Sequence, residues 1–400
     1  MKKPTLPELL KTTFYIGAIG YGGPAILALM KKTFVQKKEW ISEKEFMNAL
    51  SLAQILPGAT GVSLMGYTGF KLRKLWGGIL APLAFILPAS IAITVLAWAY
   101  FTFGNLSFVK ALFAGLGALV VALLVNATLI LGKSVFKHLD RKDIKGLIIS
   151  CATFVGVFFL GINVIWLILI AGFLGFVFFY FTREFEDEKA RKGEALLAEP
   201  NILKRESLSA KDFTPVILAV LIFIAGLFIP YTRSLITAFL GIGSLAFGGG
   251  FTTIPLIQHQ VVDAHGWLTV KQFVDGIALG QITPGPVFIT ATFIGYRVAG
   301  ILGALFATLA IFAPSLAAMI ALADIHGRVQ NLKIVKVIVK GFLSGFIGLL
   351  IAVTLQFAFK SLISWQAWLI FALSIVWLLI LKKESVWAIL GTAILSFFIF

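Results

Sequence analysis

Four short clusters of glycine, proline and glutamine stand inside otherwise apolar stretches of this chain. They are Gly22-Gly23-Pro24, the segment from Gln54 through Pro57 to Gly58, Gly248-Gly249-Gly250, and the segment from Gln281 through Pro284 and Gly285 to Pro286. A continuous helix hides its backbone N–H and C=O groups, whereas a break frees them. The N-terminus of the half-helix that follows presents amides and a partial positive charge, which suits an anion. Hydroxyl and amide side chains sit close by: Gln54, Thr60 and Ser63 around the first pair, and Thr252, Thr253, Gln281, Thr283, Thr290 and Thr292 around the second. Such donors match an oxyanion that accepts many hydrogen bonds. The competing structural reading is that Ser and Thr bond their own helix backbone, and that Gly and Pro serve packing and kinking.

The clusters recur in order. The first copy runs from Phe14 to Ser90 and carries YGGP from Tyr21 to Pro24, Trp40, and QILPG from Gln54 to Gly58. The second runs from about Leu240 to Leu316 and carries FGGG from Phe247 to Gly250, Trp267, and QITPG from Gln281 to Gly285. Gly22 and Gly248 are 226 residues apart, Gln54 and Gln281 are 227 apart, and Gly69/Gly295 and Pro88/Pro314 return to 226. Lys44/Lys271, Phe46/Phe273 and Leu52/Leu279 fall in step between them. An ordered series at nearly constant offset is a duplication.

The elements that must carry these clusters are membrane helices. The chain is 59% hydrophobic and 13% charged, with apolar runs long enough to cross a bilayer, which takes about 20 residues per helix. The net charge of +16 does not signal nucleic acid, because the Lys and Arg residues lie mostly in short loops, where they orient the protein. One cysteine, Cys151, excludes a disulfide framework and a Cys-based metal site. His259 and His265 lack companion ligands, so no metal or other cofactor is expected. No Walker lysine loop and no Ser-His-Asp set occurs, so neither an ATP motor nor an enzyme is expected. Lys2, Lys3 and Lys11 precede an apolar stretch without a small-residue cleavage site, which reads as mature protein.

The expected fold is an all-α polytopic membrane protein with two inverted-topology repeats of about six membrane segments each. Residues 1–181 form the first repeat, 182–212 a polar cytoplasmic linker, 213–231 a connecting span, and 232–400 the second repeat. In the first repeat the segments are 9–33, 46–66, 75–100, 107–131 and a hairpin over 144–181 broken at Gly161-Ile162-Asn163. The extra span flips the second copy, and loop charge agrees: one member of each matched loop pair is basic and the other poor in charge. This places the N-terminus and linker in the cytoplasm and the C-terminus outside. The lysine-rich loop 31–45 disagrees, unless the second segment of each unit is re-entrant rather than spanning. Trp40 and Trp267 read as interfacial anchors. Lys71 and Arg297, matched by position beyond each Pro-Gly, either add positive charge to the site or snorkel to the interface. Asp275, where the first copy has Asn48, is the candidate coupling group, since intramembrane carboxylates are costly to keep; an interfacial position is the alternative.

On YGGP with Trp40 and QILPG, and on FGGG followed by Thr252, Thr253, Ile254, Pro255, Trp267 and QITPGP, the sequence resembles the chromate ion transporter family in its long, two-domain form. The resemblance covers both glycine-rich units and, more loosely, nearly the whole chain. It implies efflux of chromate from the cytoplasm across the cell membrane, chromate resistance, coupling to an ion gradient or the membrane potential, and antiparallel homologous halves. The first copy has Ala59 where the second has Pro286, a departure from the PGP form. The expected function is a secondary transporter of a tetrahedral divalent oxyanion. Chromate or sulfate is the solute, with a proton or a counter-anion as coupling partner, the lipid bilayer as surroundings and a homodimer left open. An anion channel is the alternative of a different class.

Overall fold

The computed structural model describes residues 3–136, 143–180, 210–323 and 332–400, without the side chains of Pro24, Ala210 and Lys211. Most of the linker 182–212 and the centres of the loops 132–143 and 324–333 lie outside the described residues. Among the described residues every named element is helical. The helices are α1 (Leu6–Ile19), α2 (Gly23–Lys31), α3 (Glu43–Ile55), α4 (Thr60–Phe103), α5 (Ser107–Val135), α6 (Ile144–Phe158) and α7 (Val164–Phe179). There follow α8 (Thr214–Phe228), α9 (Thr232–Leu245), α10 (Thr253–Gln258), α11 (Val270–Ile282) and α12 (Thr290–Leu322). The last are α13 (Lys333–Ser361), α14 (Trp365–Ile375) and α15 (Ser385–Ile399). Wider π turns extend α2 over Lys32–Lys37, α10 over His259–Ala264 and α14 over Val376–Ile380. Helices α4, α5, α12 and α13 are long and apolar enough to cross a membrane, and α6, α7, α8, α14 and α15 are shorter apolar helices.

The duplication is written into the backbone. Helices α1 and α9 start and stop 226 residues apart, and so do α5 and α13. Ser42 and Glu45 form a capping box at the start of α3, and Thr269 and Gln272 form the same box at the start of α11, each satisfying two orphan helix donors. The residue before each proline is extended, as proline requires: Leu56 at φ −76°, ψ 151° and Thr283 at φ −78°, ψ 147°. Both α3 and α11 therefore end where Pro-Gly begins.

Helices α4 and α12 are not straight rods. Arg73 and Lys74 leave helical geometry at φ −142°, ψ 31° and φ 50°, ψ −146°; Ala299 and Gly300 do the same at φ −144°, ψ 34° and φ 57°, ψ −144°. Eight residues along a helix would separate Gly69 from Gly77 by about 12 Å. Instead a Cβ on either would strike the other's carbonyl, and Gly295 and Gly303 repeat this contact. Each is thus a tight hairpin of two helical arms, 60–72 with 75–103 and 290–298 with 301–322. The sequence separates 46–66 from 75–100 at the basic cluster; the turn indeed falls at Arg73-Lys74.

Charged contacts fold the front of the first copy into two V-shaped pairs. Lys38, past the end of α2, reaches Glu8 in the first turn of α1 at 2.9 Å. Lys71, at the end of the first arm of α4, pairs with Glu45 in the first turn of α3. Lys31 bridges the two pairs through Glu43 at 2.5 Å. So α1 with α2, and α3 with 60–72, each run inward and return to the face they left. The loop 31–45, whose lysines conflict with a spanning second segment, lies on the face of Pro4, whose carbonyl accepts from Arg73 Nε at 2.6 Å. Trp40 corrects another expectation. It is only 3% exposed and stacks on Phe34 with centroids 5.7 Å apart, so it belongs to the core rather than to an interfacial belt.

Candidate functional site

The V-shaped pairs bring their breaks together. The Gly58 N–H donates to the carbonyl of Ala246 at 2.8 Å, and the Gly285 N–H donates to the carbonyl of Gly20 at 2.9 Å. Tyr21 and Gly285 form a single parallel β-bridge. Gly61 faces Ile26 within the first copy, and Gly250 faces Val287 within the second. All four clusters singled out by sequence therefore meet, two at the apices of the first copy's V-shaped pairs and two at the matched breaks of the second copy. The contacts are reciprocal, since Gly20 and Ala246 occupy matched positions, as do Gly58 and Gly285.

This arrangement is rich in amides. Helices α2 and α10 and the two arms beginning near Thr60 and Val287 all start at the apices, and the first amides of a helix have no intrahelical acceptor. The helices that end there, α1 and α9, give up carbonyls to the crossing bonds from Gly285 and Gly58. Gly22 and Gly23 are exposed, and neither they nor Gly249 has any atom within 4 Å of where a Cβ would stand. Open space and helix starts thus coincide at the glycine clusters. Pro24 opens α2 in the first turn, where a missing N–H costs nothing.

The hydroxyls play a different part. Thr252 donates to the carbonyls of Phe247 and Gly249 at 2.6 and 2.7 Å, and Thr253 donates to the carbonyl of Gly250 at 2.5 Å. These threonines hold the Gly248-Gly249-Gly250 loop in shape. Thr283 and Thr290 likewise bond carbonyls three residues back. Ser63 and Gln281 do not follow them: the Ser63 Oγ and the Gln281 Nε2 are buried with no hydrogen-bond partner, as is the Gln258 Oε1. Native proteins leave few such groups unpaired; Ser63 lies in the first arm of α4, Gln258 at the end of α10 and Gln281 near the end of α11. Gln54, the match of Gln281, is exposed.

Lys71 and Arg297 do not join the apices. The arm 60–72 carries Lys71 to the tip of its hairpin, about 18 Å along the helix axis, where Glu45 takes it. Arg297 lies at the other hairpin tip with its guanidinium 5.3 Å from the Phe101 ring. Asp275 is 2% exposed. Its Oδ2 accepts from the Tyr100 hydroxyl at 2.7 Å and from Lys271 Nζ at 3.2 Å. It is a buried group beside an exposed cation, since Lys271, one turn back, has a side chain 67% exposed. Sequence reasoning missed Tyr100, which lies outside the repeated motifs and meets Asp275 only through folding.

The two copies differ in how their pairs are covered. Every residue from Phe273 to Gly280 in α11 is buried, whereas α3 buries only Phe46, Ala49, Leu52 and Ala53. All of Thr253–Gln258 is buried, whereas within α2 burial is confined to Ile26 and Met30, the side chain of Pro24 being undescribed. Helix α11 packs on α5, α12 and α13, while α3 packs chiefly on α4.

Comparison with known proteins shows the family. A family model described as "Chromate transporter" matches residues 7–176 and 233–397, one match per copy. The chain is 33% identical over 387 residues to the uncharacterized transporter MJ0718 of Methanocaldococcus jannaschii, covering 96% of this chain and 91% of that protein. It is 31% identical over 382 residues to the chromate transport protein of Cupriavidus metallidurans, covering 95% and 90%. It is 30% identical over 315 residues to the probable chromate transport protein of Synechococcus elongatus, covering 78% and 74%. No solved structure matches it. With both copies matched and whole-length relatives at this identity, the chain belongs to the chromate transporter family.

Proposed function

We propose that this chain is a secondary active transporter that exports chromate from the cytoplasm by alternating access across the cell membrane, conferring chromate resistance. The observation that carries this reading is the reciprocal meeting of the broken helices, Gly58 with Ala246 and Gly285 with Gly20. Mid-membrane sites in transporters are built from discontinuous helices of two repeats, whose half-helix N-termini face an anion. Chromate would rest against the amides near Gly22, Gly23, Gly248 and Gly249. Thr252 and Thr253 fix the cradle, Gln54 and Gln281 flank it, and Pro24, Pro57 and Pro284 hold the breaks open. Asp275 is the group proposed to couple transport to a second ion. Lys71 and Arg297, at the two mouths, favour approach of an anion from either side.

Inverted topology is supported by the hairpin tips. The second arm of α4 starts at the Arg73-Lys74 turn and ends beside Arg297, the tip of the other hairpin. Its 29 residues span about 43 Å, so the two tips face opposite sides. In this reading each copy contributes two re-entrant pairs and four crossings, and α8 adds a ninth crossing between them. The face of Lys31, Lys38, Lys71, Arg73 and Lys74 is the more basic and is therefore cytoplasmic; the C-terminus lies outside. The loop 31–45 then obeys the same rule as the others.

The test is flux of chromate into proteoliposomes with pH and membrane potential clamped separately. Saturable flux that stops when the coupling gradient is removed is the expected result. Conduction that follows the potential alone would make the protein a channel. Sulfate shares the charge and shape of chromate, and competition between them decides which is preferred.

A further inference from the structure

The matched helices α3 and α11 have the same caps, the same length and the same Pro-Gly ending, yet one is half exposed and the other enclosed. Val274 is 2% exposed and stands near Gly117 of α5; its match, Met47, is 45% exposed. Helix α11 is held shut by both apolar and polar contacts. The apolar contacts of α11, such as Phe273 with Phe357 at 5.9 Å between centroids, are non-directional and can slide. The polar contact is specific: the Tyr100 hydroxyl, from the spanning arm of the first copy, donates to Asp275 on α11 at 2.7 Å. The Tyr100 ring is itself fixed edge-on against Phe101, Phe113 and Phe293, with centroids 5.0, 4.9 and 5.4 Å away. A donor held this firmly has one place to put its proton, and Asp275 is there. At the matched position of α3 the residue is Asn48, which carries no charge.

We propose that Tyr100 is a positioning residue of transport: its bond to Asp275 latches α11 against the first copy and closes the outer of the two pathways. Breaking that bond lets α11 take the exposed arrangement that α3 already shows, while α3 takes the enclosed one. The inference rests on the alternating-access reading but concerns a contact which that reading does not need.

The test reads exposure rather than flux. In full-length protein with the exposed Cys151 replaced (Cys151→Ala), Val274→Cys and Met47→Cys are introduced separately. Each is labelled with a membrane-impermeant maleimide in proteoliposomes, with and without Tyr100→Phe. Loss of one hydrogen bond worth about 1.4 kcal/mol changes an opening equilibrium about tenfold. Tyr100→Phe is expected to speed labelling at Val274→Cys about tenfold and to slow it at Met47→Cys. Asp275→Ala, which removes the acceptor of the Tyr100 hydroxyl, is expected to act in the same direction and covers the case in which Tyr100→Phe does not fold. An unchanged rate at Val274→Cys in both variants would overturn the latch. A rise at both cysteines together would also overturn it, since that is local loosening and not an exchange between two states. Absence of chromate flux in the parent protein would instead sink the transport reading, and the labelling result stands apart from it.

Discussion

Gly58 gives its backbone N–H to the carbonyl of Ala246, and the matched pair Gly285 and Gly20 repeats that bond with the donor and acceptor copies exchanged. Both donors sit at positive φ, 105° and 111°, where a side chain costs about 1–3 kcal/mol. The surroundings differ. A Cβ on Gly58 would strike the side chain of Ser315, while one on Gly285 would stand 3.0 Å from the Ala89 Cβ. Gly58→Ala and Gly285→Ala should therefore both lower thermal stability in detergent, Gly58→Ala by the larger amount. Equal losses would mean that backbone strain alone decides, and that the Ser315 contact is slack.

Lys74 gives a second contrast between the copies. It holds φ 50°, ψ −146° at the hairpin turn, a region that glycine occupies in the second copy as Gly300. Its ammonium reaches Asp212 at 3.1 Å, but a partly exposed pair of this kind contributes at most about 1 kcal/mol. Relief of backbone strain of about 1–3 kcal/mol outweighs it. Lys74→Gly should raise the melting temperature, whereas Gly300→Lys should lower it. A lower melting temperature for Lys74→Gly would show that the ion pair, and not the turn, governs this site.

Much of this was legible in residue order, and the reasons are physical. Period, proline and glycine are local signals: Pro57 and Pro284 force the preceding residue extended, and the breaks fall there. The helical hairpin over 144–181 turns at 159–163, where Gly161 has φ 63°. Composition does not place loop 31–45, because re-entrant and spanning segments look alike in sequence; the Lys71–Glu45 and Lys38–Glu8 pairs, which bring its neighbours to one face, form only once the chain is folded. Lys71 and Arg297 match by position, but the arms 60–72 and 290–298 carry them away from their breaks. Tyr100 left no trace, since a single phenol in an apolar span looks like any other aromatic.

Gly23 tests the cradle directly. Its backbone is not at positive φ, and a Cβ there would meet nothing within 4 Å, so a larger side chain can be added without collision at its first carbon. Gly391 in α15 is equally open but far from the breaks in sequence and absent from their contacts. Gly23→Leu should insert and purify like the parent, yet abolish chromate flux by filling the space at the apex. Gly391→Leu should leave flux unchanged. Full flux through Gly23→Leu would refute the proposed site.

Gln281 separates a group kept for function from one kept for the fold. Its Nε2 is buried without an acceptor, and an unmade buried hydrogen bond costs about 1–3 kcal/mol. If the missing acceptor is the transported anion, the empty protein carries that penalty and the bound solute relieves it. Gln281→Met, similar in volume and apolar, should then leave thermal stability unchanged or raise it by about 1 kcal/mol, while flux falls at least tenfold. Added chromate should raise the melting temperature of the parent and not that of Gln281→Met, because a ligand stabilises only the state that binds it. Gln281→Glu would place a carboxylate where the anion comes to rest and should abolish flux as well. A Gln281→Met protein that melts lower than the parent but still transports would show that the amide serves packing, and the anion would have to be sought at another break.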